Sequence, residues 1–317
     1  AKDAGKTTKR LLSYISKGHK FTFSLVLICI LISALANVVG SLFLKTLIDE
    51  YITPLLGVTN PIFTSMYRAI AMMAGIYVIG VVATYVYNIL MVSISQGIQK
   101  KIRDELFAHM QTLPIKYFDT HAHGDVMSRY TNDIDTLRQM LSQSIPMAFS
   151  SLVTIVSVFA AMLAVSLPLT LIVVLMVALS ITVTKTIGGK SSVNFVKQQQ
   201  TLGKVNGYIE EMMHGQKEVK VFGRETESKE RFDKLNDELR ESATNANIYA
   251  NILMPILGNL GFLQYALIAM FGGAMAVAGI GGLTLGAIAS FLQLSRSFTM
   301  PVNQISQQVS SIVMALA

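Results

Sequence analysis

Charge is scarce in this 317-residue sequence: Asp, Glu, Lys and Arg make up 14% of it, against 52% hydrophobic residues and a mean hydropathy of +0.50. That balance excludes a water-soluble globular domain and sets the class as integral membrane protein. Cysteine is nearly absent as well. The single Cys29 lies inside an apolar run, which excludes a disulfide framework or a cysteine-based zinc site within the chain and makes it a small packing or lipid-facing residue. The 19 acidic residues all fall outside the runs long enough to span a bilayer, so the membrane carboxylates on which proton relays normally depend are missing.

What charge there is carries a pattern. The net charge of +7 and pI near 9.4 suit a nucleic-acid binder, but the placement of the bases does not. Of 26 Lys and Arg residues, 23 fall within residues 2–20, 100–138 and 185–240, leaving Lys45, Arg68 and Arg296 elsewhere. Lysine and arginine gather in this way where loops face the cytoplasm. No nucleic-acid partner is needed to explain it.

Residues 1–20 read as a cytoplasmic segment in which Leu11, Leu12 and Ile15 alternate with Lys9, Arg10, Lys17 and Lys20, an interfacial helix lying on the inner membrane face. A cleaved signal peptide is the competing reading, but the uncharged run Phe21 to Leu44 is 24 residues long, beyond a signal core of about 7 to 15. That run is the first span. Lys45 and Asp49, four apart, are expected to pair at its end. An outer loop with Pro54, Gly57, Asn60 and Pro61 follows, then an uncharged run from Ala69 to Gln99 whose helical pattern continues to Leu113. Such a helix measures about 68 Å, against a hydrocarbon core of about 30 Å.

The 46 uncharged residues from Gln139 to Thr184 make two spans divided at Ser166-Leu167-Pro168, and the run from Ser242 to Ser295 divides at Gly279-Ile280-Gly281-Gly282. The reading is an all-α polytopic domain over 21–317, with six long spans and both termini inside. Inner helical hairpins cover about 100–138 and 185–241. The last helix, from about Leu285, shows no stop signal before Ala317, so the chain is expected to continue.

The inner hairpins are the unusual feature. Leu113 to Arg138 is too polar for a membrane; Pro114 suits the first turn of a short helix, and Gly124-Asp125 reads as a stop followed by an N-cap. A second tip lies within Gly207 to Leu239. Tyr117 and Phe118 at the first, with Val219, Val221 and Phe222 at the second, are apolar where a free loop has no need of such groups. For each residue alone, packing within its own bundle is an equal reading. Together, the two tips favour docking on a partner.

On the last helix Gln293, Arg296, Met300, Asn303 or Gln304, and Gln307 recur every three or four residues, opposite Phe291, Leu294, Phe298 and Val302. A charge at the depth of Arg296 costs about 2.5 to 3.5 kcal/mol on insertion scales and must face water or a partner. The stripe therefore implies a wet cavity; glutamines tying helices together are the alternative. Pro255 and Pro301 interrupt the hydrogen-bond ladders of their spans, as moving bends or as static kinks. His121 and His123 lack a third ligand and read as loop residues. Gly189-Lys190-Ser191 copies the end of a P-loop, but Thr184 stands where that pattern needs glycine, and no residue stands five places before Gly5 in Gly5-Lys6-Thr7.

Leu113-Pro114 to Phe118-Asp119, Gly124-Asp125, Ser128-Arg129 and Asn132-Asp133 resemble the first coupling loop of ATP-binding cassette exporters of the six-helix, domain-swapped type. Asn206-Gly207 to Glu211, Val219-Lys220-Val221-Phe222-Gly223-Arg224-Glu225 and Arg231-Phe232 resemble the second loop. Phe291-Leu292-Gln293, Pro301, Gln304-Ile305-Ser306 and Ala315-Leu316-Ala317 resemble the sixth helix. The resemblance covers nearly the whole chain in order. It implies a dimer of such units, each followed by a nucleotide-binding domain, here expected after residue 317, that holds ATP and Mg; this chain binds neither. It assigns transmission to Tyr117, Phe118, Asp119, Val219, Val221, Phe222 and Arg224.

The function so implied is the membrane half of an ATP-driven exporter in the cell membrane. Its partners are the nucleotide-binding domain, a second half-transporter, membrane lipids and an amphipathic drug, lipid or peptide. The competing classes are a secondary transporter or channel working alone, and a receptor whose inner hairpins recruit a cytosolic protein.

Overall fold

The structure is a computed structural model that describes residues 19–56, 58 and 61–316, with side chains beyond Val302 described for Gln304 alone. The interfacial helix expected before His19, the Gly5-Lys6-Thr7 string, Gly57 and Asn60, and the side chains of Asn303 and Gln307 lie outside those residues. In lipid a backbone N–H or C=O has no water to bond, so a spanning chain must satisfy its polar groups within its own helix. The described residues accordingly form helices joined by tight turns, with no strand among them.

Helix α1 spans Lys20–Thr46 and continues through a π-helical stretch, Leu47–Ile52, and a 3-10 turn, Thr53–Leu55. Helix α2 is Thr64–Met110, five residues earlier at its start than the uncharged run and three shorter at its end than expected. The first tip holds α3 (Ile115–Thr120), α4 (His123–Ser128) and α5 (Ile134–Gln139), with π stretches at Arg129–Asp133 and Met140–Ser144; α6 is Ile145–Val165. Helix α7 is Leu167–His214, α8 Gln216–Val221, α9 Glu225–Val277 and α10 Leu285–Leu316. Among the described residues, five stretches are long and apolar enough to cross a membrane: Lys20–Leu55, Thr64–Met110, His123–Val165, Leu167–His214 and Glu225–Val277. The fold is that of an all-α polytopic membrane protein. Helices α9 and α10 run continuously through Pro255 and Pro301.

Both expected outer breaks occur for the physical reasons read from the sequence. Ser166 is extended (φ −162°, ψ 113°), and its carbonyl accepts from the Thr170 amide at 3.1 Å and the Thr170 hydroxyl at 2.7 Å, starting α7 with Pro168 where no amide donor is required. Between α9 and α10, Gly279, Gly281 and Gly282 all have positive φ, of 67°, 70° and 60°. A side chain at these positions meets the Cβ penalty of the left-handed region.

The described residues form two compact units, one running up to Thr170 and resuming at Ile268, the other Leu171–Leu267. In the first, α1 and α2 pair antiparallel, since Ser33 bonds Thr84, Ala36 faces Gly80 and Gly40 faces Tyr77. Lipid tails are as apolar as leucine, so helix association there depends on close contact rather than on escape from water. A Cβ on Gly80 lies 2.9 Å from that of Ala36, and one on Gly40 overlaps the Tyr77 hydroxyl. Glycine sets how near the two helices come. Below this contact Val26, Ile30, Met91, Ile94, Ile98, Met140 and Leu141 form a cluster in which no member is more than 3% exposed. Helices α6 and α10 add Val158, Met162, Phe291 and Leu294, with Phe159 and Phe298 stacked at 5.8 Å.

Asp49 departs from expectation. Its carboxylate is held by Thr284 and Gly286 rather than by Lys45: the Thr284 hydroxyl donates to Oδ2, and the Gly286 amide donates to Oδ1 at 3.0 Å. The first amides of a helix have no internal acceptors, and a carboxylate at that end satisfies them more fully than an exposed lysine pair does. Thr284 Oγ1 also accepts from the Ala287 amide at 3.0 Å, completing the start of α10.

A Cβ on Gly286 would lie 2.6 Å from Asp49 Oδ1 and 2.7 Å from the Lys45 carbonyl oxygen, so Gly286→Ala forces the two helix ends apart. The expected cost is about 1 to 3 kcal/mol, the range for overpacking, read as a lowered Tm in detergent. An unchanged Tm would show that this contact does not hold the bundle.

Candidate functional site

At the first tip Pro114 is the N-cap of α3, one place before the expected first turn (φ −68°, ψ 151°). The break after α3 falls at His121 and Ala122, both extended, and Gly124 sits inside α4, so the glycine is not the stop it suggested. The Ala122 carbonyl accepts from the Asp125 and Val126 amides at 3.0 and 3.3 Å, which makes Ala122 the cap and places Asp125 in the first turn, near the positive end of the helix. His121 closes α3: its amide donates to the Tyr117 carbonyl at 3.1 Å, its Nδ1 lies 3.0 Å from the same oxygen, and its ring stacks on Tyr117 at 4.1 Å. Phe118 meets Tyr117 edge-on at 5.6 Å. Tyr117 and Phe118 are thus half-buried by their own tip, whereas Asp119 is exposed.

Ile115 is the residue the sequence reading missed. It is apolar and 79% exposed on α3. Its neighbours Tyr117 and Phe118 drew attention through their rings; position alone, at the start of the tip helix after Pro114, was the available signal.

The second tip is built on a tighter device. α8 ends at Phe222 with Gly223 in the left-handed region (φ +62°), and the Arg224 amide reaches back to the Val219 carbonyl at 2.9 Å, six residues closing on one. This arrangement satisfies helix-end carbonyls and needs glycine at the left-handed position. Val219 turns inward and is half-buried, while Val221 and Phe222 stand 71% and 74% exposed. Arg224 pairs with Glu227 at 3.3 Å on the open surface, where such pairs contribute about 0 to 1 kcal/mol.

The hairpin beneath that tip is pinned by Tyr208, which is 6% exposed. Its hydroxyl donates to the Ser228 carbonyl at 3.0 Å, and the Arg231 guanidinium lies 5.3 Å above its ring. Tyr208, Met212, Val219 and Phe232 line a cavity of about 330 Å³ beside the tip.

On α10 the two faces separate as expected. Gln293, Arg296, Met300 and Gln304 are exposed, whereas Phe291, Leu294, Ser295 and Phe298 are 0%, 0%, 2% and 8% exposed. The polar stripe therefore looks away from the helices of its own unit. Farther along the first tip, the Arg138 Nε bond to Asp135 at 2.7 Å holds that carboxyl below its ordinary range, with desolvation opposing it and the Arg138 and Arg103 charges reinforcing it. The bond is present above the carboxylate range and is lost on acidification.

The transmembrane region of ABC transporters matches residues 23–302 of this chain. The chain belongs to that family. Among similar proteins, the uncharacterized ABC transporter ATP-binding protein YfiC of Bacillus subtilis is 33% identical over 317 residues, all of this chain and 51% of its own length. A fatty acid ABC transporter ATP-binding/permease protein of Mycobacterium bovis is 31% identical over 255 residues, 80% of this chain and 40% of that protein. An ATP-dependent lipid A-core flippase of Dechloromonas aromatica is 24% identical over 308 residues, 97% of this chain and 51% of the flippase. The family member described here spans about half the length of these curated relatives.

Tyr208→Phe removes the bond to Ser228 while keeping the ring under Arg231, at an expected cost of about 0.5 to 1.5 kcal/mol. Amide exchange in residues 208–232 should quicken with no change in the spans. Equal exchange throughout would show that Tyr208 does not pin the hairpin.

Proposed function

We propose that this chain is the membrane half of an ATP-driven exporter that carries amphipathic molecules outward by alternating access. The observation that carries the reading is the pair of exposed apolar tips, Ile115 at one and Val221 with Phe222 at the other, at the water-exposed ends of helices too long for the bilayer. Helices α2, α7 and α9, of 47, 48 and 53 residues, measure about 70 to 80 Å, more than twice the hydrocarbon thickness. Apolar side chains held in water at the ends of such rods suit a surface that another domain covers.

In this reading the chain has six spans with both ends inside, α10 being the last. A nucleotide-binding domain follows residue 317 and holds ATP and Mg, in keeping with the ATP-binding relatives and with the half-length match. Two such half-transporters form the working dimer in the cell membrane. Tyr117, Phe118 and Asp119, with Val219, Val221, Phe222 and Arg224, transmit nucleotide events to the spans. Exposed apolar residues supply the contact, and His121 and Gly223 fix the shape of each tip.

Gln293, Arg296, Met300, Asn303, Gln304 and Gln307 line the substrate cavity. A ligand biases a two-state transporter only by binding one state better than the other. The exposed face of α10 provides such differential contacts when its surroundings rearrange. The names of the fatty acid transporter and the lipid A-core flippase favour lipids among the amphipathic substrates.

The reading of the gene beyond residue 317 should reveal Gly-x-x-x-x-Gly-Lys-Ser/Thr after a strand; a stop there with no separate ATPase partner would instead favour a transporter working alone or a receptor. In the assembled transporter Phe222→Ala and Tyr117→Ala should leave folding intact and reduce substrate-stimulated ATP hydrolysis about tenfold, the loss of roughly 1.4 kcal/mol of coupling. Unchanged stimulation in both would remove the tips from the coupling path. Arg296→Ala should shift preference among charged and neutral substrates, and an identical transport profile would exclude Arg296 from the cavity.

A further inference from the structure

The centre of the first span and the centre of the second meet at a hydrogen bond. Ser33 lies at the middle of the uncharged run 21–44 and Thr84 at the middle of 69–99. Their hydroxyl oxygens are 2.7 Å apart. Thr84 Oγ1 lies 2.9 Å from the Gly80 carbonyl, to which it donates. Its hydrogen is then spent, and Ser33 is the donor to it. Asn37 stands one turn beyond Ser33 on α1, and Asn88 one turn beyond Thr84 on α2. Because the helices run antiparallel, these turns lead in opposite directions along the membrane normal. The result is a ladder, Asn37, Ser33, Thr84, Asn88, about 12 Å long and centred where the midpoints of the two uncharged runs meet.

Both amides are exposed. Asn37 Nδ2 donates to the Ser33 carbonyl at 3.0 Å and Asn88 Nδ2 to the Thr84 carbonyl at 2.8 Å, one bond each. A carboxamide offers two N–H donors and an acceptor oxygen, so a donor and an acceptor remain on each. These groups border a cavity of about 430 Å³ that Ala36, Gly80, Val81, Tyr77 and Tyr85 also line. Among the described residues, no charged one lines it. Its size falls within the range of small-molecule sites, about 300 to 1,000 Å³. Polar groups at that depth face water or a polar ligand rather than hydrocarbon.

We propose that this groove is a binding track for the headgroup of an amphipathic lipid, one that is uncharged and bears hydroxyl or amide groups. The lack of any cation in the lining disfavours phosphate or carboxylate, and the lack of any anion disfavours amines. Amide and hydroxyl groups recognise sugar-like or amide-like headgroups, donor to acceptor, at both ends of the ladder. The acyl chains stay against the apolar rim while the headgroup moves between Asn37 and Asn88, never losing a hydrogen-bond partner across the middle of the bilayer. This deepens the exporter reading and rests on it for direction, since binding itself needs no nucleotide.

The test is binding to the full transporter in nanodiscs without ATP, with fluorescent monoglucosyl diacylglycerol as probe and phosphatidylglycerol as competitor. Asn37→Leu with Asn88→Leu should weaken probe binding at least tenfold, and phosphatidylglycerol should compete poorly. Undiminished binding in the double variant, or equal competition by the anionic lipid, overturns the proposal. Since that variant can also fail by misfolding, a second pair of variants reads the site directly. Cys29, the single cysteine of these 317 residues, is buried, so, with any cysteine elsewhere in the full transporter replaced, Asn37→Cys and Asn88→Cys introduce the reactive thiol in each case. A water-soluble thiol reagent should label both, and the glucolipid should protect both. Absence of labelling at both positions shows a helix or lipid covering the groove and overturns the track. Absence of nucleotide-driven probe transport by the unaltered transporter, with binding retained, would count against the export reading alone.

Discussion

The bilayer's thickness is the constraint from which the rest of this structure follows. A helix whose backbone is satisfied internally is free to continue past the lipid at little cost, and α2, α7 and α9 do so by several turns. What happens at the far ends then determines the protein's usefulness. A frayed tip would transmit nothing, so the ends are closed by local chemistry: His121 folded back on Tyr117, and Gly223 turning the chain so that Arg224 reaches Val219. In the exporter reading proposed above, rods with capped ends are what an event in water needs in order to reach the lipid.

Inside the lipid the chain handles polarity with one repeated device. Ser24, Asn37, Ser41, Thr84, Asn88, Thr170 and Ser180 each donate to the carbonyl four residues earlier. Such back-bonding lets a polar side chain cross hydrocarbon with its donor occupied. Hydroxyls are largely spent by it and carboxamides are not, which separates residues that merely tolerate the membrane from those that retain something to offer.

Much of this was legible in the sequence because it rests on single-residue rules. Ser166-Leu167-Pro168 and Gly279 to Gly282 announced the outer turns, and the alternation on α10 separated Phe291 and Leu294 from Gln293 and Arg296. Contacts between distant segments were not legible. Asp49 read as the partner of Lys45, four residues away, and found Thr284 and Gly286 instead. Gly124 read as a helix stop, whereas the extended backbone of His121 and Ala122 ended α3 first. The π stretches at Leu47–Ile52, Arg129–Asp133 and Met140–Ser144 have no composition that marks them; they arise where packing demands an extra residue per turn. Half-burial of Tyr117 and Phe118, against the openness of Ile115, likewise depends on neighbours rather than on residue type.

The tie from Asp49 to Thr284 and Gly286 lies before the loop that joins α1 to α2, not within it. The first helix is thereby moored to the start of the tenth by a contact that precedes that loop. Lengthening a surface connection costs little entropy when its ends are already fixed. That connection is therefore free to drift in length and composition among relatives, and to acquire outward-facing decoration, while the bundle it crosses stays in register.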